Sequence, residues 1–297
     1  VQTKLRESVS VFDYMTAAQI TDVQSGALTL SVDDAVAAAI AVGGRIIFPS
    51  GKYRFNNTLT ITNIQGLILE GASAALVSAG TTYTSNTVFN FDNAGSGTNG
   101  IDISSFVGLV IKNIVISHGH VGGGTALYLH SGHDFTIENV KVSLQSGSTG
   151  KGIVLGGGIV GSPGYPGTAG ANSVFLGRLL NCKVLSQGGA SFESNATNTT
   201  LTFENCYQVG GQFNIFGTVY STFISCASEG AALFGYTIGG DSSFNSSNLT
   251  FVSCGGEANG RGVFYLSTYS QNIVFQAPYG SGNNVSADAI TADLILI

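Results

Sequence analysis

Seventeen acidic and eleven basic residues carry the formal charge of this 297-residue chain, so each candidate for proton-transfer chemistry can be weighed singly. Glu229 and Glu257 stand out by position. Each lies three residues beyond a cysteine, Cys226 or Cys254, within the related phrases STFISCASE and LTFVSCGGE. Two carboxyl groups held side by side can divide catalytic work, one donating a proton while the other activates water or attacks. The competing reading is a pair of solvated rim carboxylates. Arg261, four residues after Glu257, is placed to orient a carboxylate or meet an anionic group, or to serve only as an exposed counter-ion. Glu193 in ASFESN and Asp102 in GIDIS are expected on the outer face of a second recurring strand. Tyr128, Phe234, Tyr236 and Tyr265 are expected beside them, presenting rings to a ligand. Glu193 is the third candidate acid and Asp102 a weaker one, assigned to binding. Asp241, in the insertion TIGGDSSFNSS, can replace either glutamate by folding over a groove, and Tyr165 marks a second insertion, GGGIVGSPGYPGTAGANS. Glu70, Glu138 and Glu204 share one position with Lys112, a mixed column that reads as solvated structure.

Other chemistries find little support. His118, His120, His130 and His133 cluster in two turns, where polar surface residues are the simpler account than a metal site. No zinc spacing, phosphate-cradling loop or nucleophile elbow occurs, so no metal and no cofactor is expected. A net charge of −6 without a basic stripe disfavours nucleic acid. An acidic surface rich in Tyr and Asn suits neutral or weakly charged polar ligands. No apolar run approaches the ~20 residues of a membrane span, and no membrane insertion is expected. Charged residues make up only 9% while Gly reaches 42, so Ser, Thr, Asn and Gly must keep the surface soluble. The chain starts at Val1 with a single methionine, Met15, and is expected to be a fragment or processed product.

The elements that must position the acids follow from repetition. VFDYMTAAQITDVQSG reads as a short helix, and SVDDAVAAAIAVGG as a second one with Ser31 as N-cap, ending at Gly43-Gly44. RIIFPSGKYRF reads as strand, turn, strand. From about Gly66 the phrases GLVIKNIVIS, DFTIENVKVS, RLLNCKVLS, LTFENCYQV, STFISCASE and LTFVSCGGE align. Asn113, Asn139, Asn181, Asn205, Ser225 and Ser253 fall in one column, and Ile114, Val140, Cys182, Cys206, Cys226 and Cys254 in the next. Short alternating strands separated by Gly, Ser and Asn fit one coil of a parallel β-helix, whose strands stack at ~4.8 Å. In that register the Asn/Ser column marks a tight corner and the cysteines fill the core as small hydrophobes rather than forming disulfides. Glu229 and Glu257 then emerge on adjacent coils. The expected organisation is a helical cap region over residues 1–45, a β-helix over 46–275 and a C-terminal segment over 276–297.

The opening VFDYMTAAQITDV, the second helix and Phe48-Pro49-Ser50-Gly51-Lys52-Tyr53 resemble the start of pectate-lyase-like, single-stranded right-handed parallel β-helices in bacteriophage tailspikes. The resemblance implies an all-β, right-handed parallel β-helix with a small N-terminal helical cap. It also implies a homotrimeric virion tail protein, made in the host cytoplasm and joined to the phage tail or baseplate through a missing N-terminal part. Such a protein binds, and usually cleaves, a bacterial surface polysaccharide: capsule, exopolysaccharide or O-antigen. The expected reaction is hydrolysis by the carboxyl pair. One alternative is a lyase drawing on Arg178, Lys151 or Arg261 to stabilise an anion. Another is a spike or adhesin that binds without cutting.

Overall fold

The computed structural model describes residues 8–75, 85–92, 94–95, 97–119, 123–145, 148–157, 172–186, 190–195, 197–240, 245–283 and 294–296. Asp241, Tyr165 and His120 lie outside the described residues. Among the described residues every strand pairing joins parallel strands from neighbouring turns of the chain, in a 17-stranded and a 9-stranded sheet. The expected all-β parallel β-helix therefore forms. Its coils have three faces. The strands Ile101–Lys112 and Thr125–Glu138 run across the first two faces without a break, whereas later coils split them, as in Gln212–Phe216 and Val219–Ile224. The third face is built from short strands, among them Lys141–Leu144, Lys183–Leu185, Tyr207–Val209, Ala227–Glu229, Gly255–Glu257 and Tyr279–Ser281. Pairing continues past residue 275, since Tyr279–Ser281 stacks on Gly255–Glu257 and Leu294–Leu296 on Ile273–Phe275.

The corners explain the repeat. Asn113, Asn139, Asn181, Asn205, Ser225 and Ser253 all adopt left-handed backbone with φ between 50° and 59°. Asn tolerates this conformation better than other non-glycine residues, and its amide can bridge coils: Asn139 Nδ2 donates to Asn113 Oδ1 at 2.9 Å. The corner between the first two faces repeats the same backbone through Asp134, Leu176, Thr200, Tyr220, Asn248 and Asn272. That second ladder is harder to read from sequence, because Leu176, Thr200 and Tyr220 interrupt it with residue types that do not favour the conformation.

Inside the coils, like stacks on like. Phe192, Phe213, Tyr236 and Phe264 form one column of rings with centroids 4.8, 4.7 and 4.8 Å apart. Phe203, Phe223, Phe251 and Phe275 form another at 4.5, 4.6 and 5.0 Å. These intervals match the strand spacing, so the coil repeat itself sets ring stacking, worth ~1 kcal/mol per pair beyond burial. The four cysteines are buried free thiols, and Cys206 Sγ points at the Leu179 carbonyl of the preceding coil at 3.6 Å. Tyr236 corrects the sequence reading. It is fully buried, facing inward with Ile238, and Thr237 takes the outward position. Alternation over Phe234-Gly235-Tyr236-Thr237-Ile238 gives this outcome, and a tyrosine is apolar enough to join the phenylalanine stack. Phe234, at 9% exposure, is also buried.

A helical cap closes the amino-terminal end. A 3-10 turn, Val11–Tyr14, precedes helix α1, Ala17–Ser25, which opens with a capping box between Thr16 and Gln19. Helix α2 spans Asp33–Val42 and starts one residue later than expected: Val32 takes the cap position, its carbonyl accepting the Val36 N–H and its own N–H donating to the Arg54 carbonyl at 3.0 Å. The Ser31 hydroxyl still accepts the Asp33 N–H at 3.2 Å. The Phe-Pro-x-Gly-x-Tyr turn docks this cap. A Cβ at Gly51 would sit 2.6 Å from the Val23 side chain of α1, and the buried Tyr53 hydroxyl donates to the Pro49 carbonyl at 2.8 Å.

Candidate functional site: a carboxyl notch on the third face

The third face orders its side chains in columns. Ala227, Ser228 and Glu229 pair with Gly255, Gly256 and Glu257, so the two glutamates are direct neighbours on adjacent coils, ~4.8 Å apart along the backbone. Tyr207 precedes Ala227 in its column and Tyr279 follows Gly255. Two small residues between two tyrosines leave a notch of about 300 Å3, lined by Tyr207, Ala227, Glu229, Gly255, Glu257 and Tyr279. A Cβ at Gly255 would collide with the Tyr279 carbonyl, so the floor of the notch requires glycine there.

Each glutamate is held by one tyrosine. The Tyr207 hydroxyl donates to Glu229 Oε2, and the Tyr279 hydroxyl donates to Glu257 Oε1 at 2.6 Å. Burial, the bond to Glu229 and the charges of both glutamates push the Tyr207 pKa up to about 12. The bond to Glu257 raises that of Tyr279. Both phenols thus stay protonated donors at neutral pH. Tyr207 lies one coil before Glu229 and Tyr279 one coil after Glu257, so the two bonds draw the carboxylates in opposite directions along the helix axis. Among the described residues neither glutamate forms an ion pair.

The wall behind the notch is polar and fully connected. Gln208 Oε1 accepts the Gly211 N–H at 2.9 Å and the Ser191 hydroxyl at 3.2 Å, while its amide nitrogen donates to Ser228. Ser228 donates to Asn259 Oδ1 at 3.2 Å, Asn259 to Asn283 Oδ1 at 2.9 Å, and Asn283 to the Gly256 carbonyl at 3.0 Å. A satisfied buried network of this kind fixes the strands that carry the acids.

The remaining candidates lie elsewhere. Asp102, Tyr128, Val154, Glu193, Asn214, Thr237 and Tyr265 form one outward column on the first face. Glu193 is only 5% exposed and pairs with Lys151 Nζ at 2.6 Å and with the Asn195 amide. It is thus a neutralised carboxylate in the other sheet, and the expectation that it substitutes within the Glu229–Glu257 pair is corrected. Asp102 accepts from His130 at 3.1 Å and from Asn99 at 2.9 Å. Burial would raise the Asp102 pKa, but these bonds outweigh it and hold the carboxyl below its usual value. Tyr128 stacks on His130 at 4.6 Å and donates to the Gly157 carbonyl at 2.9 Å. Burial, with the charges of Asp102 and Glu193, pushes its pKa up to about 12. Tyr265 is 37% exposed and packs on Phe234. Arg261 is exposed at the corner beyond Glu257, where its N–H donates to the Leu233 carbonyl, and it does not line the notch. Among the described residues no group of three His, Cys, Asp or Glu is arranged to hold a metal ion. Nor is any described helix long and apolar enough to cross a membrane.

Sequence reasoning missed the two tyrosines, although one signal was present. Tyr207 follows Cys206 as Ala227 follows Cys226 and Gly255 follows Cys254. Tyr279 lacked that marker, because Pro278 occupies the cysteine position in its coil.

No family model matches the chain, and no curated protein matches it. Solved structures do. The mannuronan C-5 epimerase A-module of Azotobacter vinelandii aligns over 97% of this chain and 74% of its own, with 16% identity and a TM-score of 0.66. A tailspike protein of Escherichia coli bacteriophage HK620, solved with a hexasaccharide, covers 97% of this chain at 11% identity and a TM-score of 0.64. This chain spans 53% of that tailspike's length. A hyperthermoactive exopolygalacturonase from Thermotoga maritima covers 98% of this chain and 86% of its own, at 9% identity and a TM-score of 0.59. Likeness at such identities establishes the fold: this chain is a parallel β-helix of the form found in phage tailspikes and pectin-degrading enzymes.

Proposed function

We propose that the chain belongs to a phage tailspike that binds a bacterial surface polysaccharide and depolymerises it by hydrolysis, with Glu229 and Glu257 as the carboxyl pair. The observation carrying this reading is the notch itself: two in-register glutamates between two tyrosines, with alanine and glycine opening the floor. The tyrosine rings supply stacking surface for sugars, and their hydroxyls orient the acids. One glutamate activates the attacking water, and the other, in its protonated form, donates to the leaving oxygen. Because the two tyrosine bonds pull in opposite directions along the axis, the outcome proposed is inversion, which needs carboxyl groups ~6.5–9.5 Å apart, rather than retention at ~5–5.5 Å. The tailspike and polygalacturonase folds support this substrate class, and they are consistent with location on a virion tail and assembly as a homotrimer.

Beta-elimination is less well supported. Lys151 and Arg178, two of its three candidate cations, are committed to Glu193 and Glu204 at 2.6 and 2.7 Å. Digestion of the host's surface glycan separates the possibilities. Hydrolysis releases new reducing ends without ultraviolet absorbance. An unsaturated, absorbing product would establish a lyase instead, and binding without new ends would leave an adhesin. The stereochemistry is read by proton NMR of the first product, which is expected to show inverted anomeric configuration.

A further inference from the structure

The notch continues toward the amino-terminal coils as a basic strip. The column holding Gly255, Ala227 and Tyr207 runs back through Lys183 and Lys141. The other outward column of those strands holds Val209, Leu185 and Ser143, so neither column carries a carboxylate between residues 141 and 209. Lys183 Nζ lies 5.2 Å from the centre of the Tyr207 ring. Tyr207 therefore joins two charges, meeting the ammonium with its ring and the Glu229 carboxylate with its hydroxyl. Lys141 Nζ donates to the Asn181 carbonyl, and burial, with Lys183 nearby, lowers its pKa. Among the described residues neither lysine forms an ion pair, whereas Arg45, Lys112, Lys151 and Arg178 are each matched to a glutamate.

We propose that Lys183 and Lys141 form a subsite for an acidic sugar, so that the polymer bound at the notch is anionic. Its carboxylate or phosphate group lies on the amino-terminal side of the carboxyl pair, two to three coils from Glu229. The inference rests on reading Glu229 and Glu257 as the cleavage point. It also revises the expectation of a neutral or weakly charged ligand drawn from net charge: the total of −6 hides a strip of opposite sign. A sugar chain running along the helix axis would pass from the notch over Tyr207 to the lysines.

The test uses the Glu257→Gln variant, so that bound polymer stays uncut. It is applied to immobilised bacterial polysaccharides bearing uronate, phosphate or no charge, alongside polygalacturonate and its carboxyl-reduced form. Retention of an acidic polymer at low salt is expected, weakened about tenfold by adding Lys183→Gln and less by Lys141→Gln, and weakened again by salt. The uronate and phosphate arms identify which anion is held, and carboxyl reduction of a retained uronic polymer should abolish its retention. Equal retention of neutral polymers, insensitivity to both lysine changes, or no acidic polymer retained would each overturn the proposal. Reducing ends released by the unmutated protein are scored separately. Lysine-dependent binding without cleavage would leave the subsite standing and remove the hydrolytic reading.

Discussion

Two clusters of carboxylates sit on the same solenoid and differ in their partners. On the third face, Glu229 and Glu257 are met by phenol hydroxyls. On the first face, Glu193 is met by Lys151 and Asp102 by His130. A neutral donor orients a carboxylate while leaving its charge to act on a ligand, whereas the Lys151 ammonium cancels the charge of Glu193 and ties two coils together. The first-face cluster thus serves the stack, and the third-face cluster is left for chemistry.

The contrast can be broken by substitution. The largest effect is expected from Glu229→Gln, with turnover falling about 10³-fold by reducing-end assay and the melting temperature nearly unchanged. Lys151→Met should behave in the opposite way. It strands the buried Glu193, and a cost of about 2 kcal/mol in denaturant unfolding is expected, the half-exposed lysine keeping the value below that of a fully buried pair. Tyr279→Phe should slow turnover about tenfold without loss of stability, because only the orientation of Glu257 is lost. Tyr236→Phe should raise stability by about 1 kcal/mol, since its buried hydroxyl has no hydrogen-bond partner among the described residues and the ring stack is kept.

The smallest effect is a pH dependence. The Asp102 pKa is depressed in the folded state, so its contribution is present above the unfolded carboxylate value of ~3.9 and disappears as pH falls through the lower folded value. Part of the acid-induced drop in melting temperature should therefore vanish in Asp102→Asn. An unchanged acid profile would show that the His130 and Asn99 bonds add nothing to stability.

What could be read from the sequence followed from residue type. The Asn/Ser corner was visible because a left-handed backbone selects asparagine, and its register placed Glu229 beside Glu257 correctly. The corner through Leu176, Thr200 and Tyr220 was invisible because coil stacking overrides local preference there. Tyr236 was misplaced because a tyrosine serves equally as an outward sugar platform or an inward ring, and only strand alternation decides. The Glu193–Lys151 pair joins residues 42 positions apart through a side-chain reach that no column of backbone partners reveals. Lys183 and Lys141 went unremarked because net charge averages over all faces.

Matched glutamine substitutions at Glu257 and Glu193 test the division between the two clusters most directly, with reducing-end release and thermal melting measured on both variants. Glu257→Gln is expected to lose about 10³-fold in turnover at unchanged stability, and Glu193→Gln to stay within a few-fold of full turnover while melting at a lower temperature. Full activity in Glu257→Gln together with its loss in a folded Glu193→Gln would contradict the account and move the chemistry to the first face.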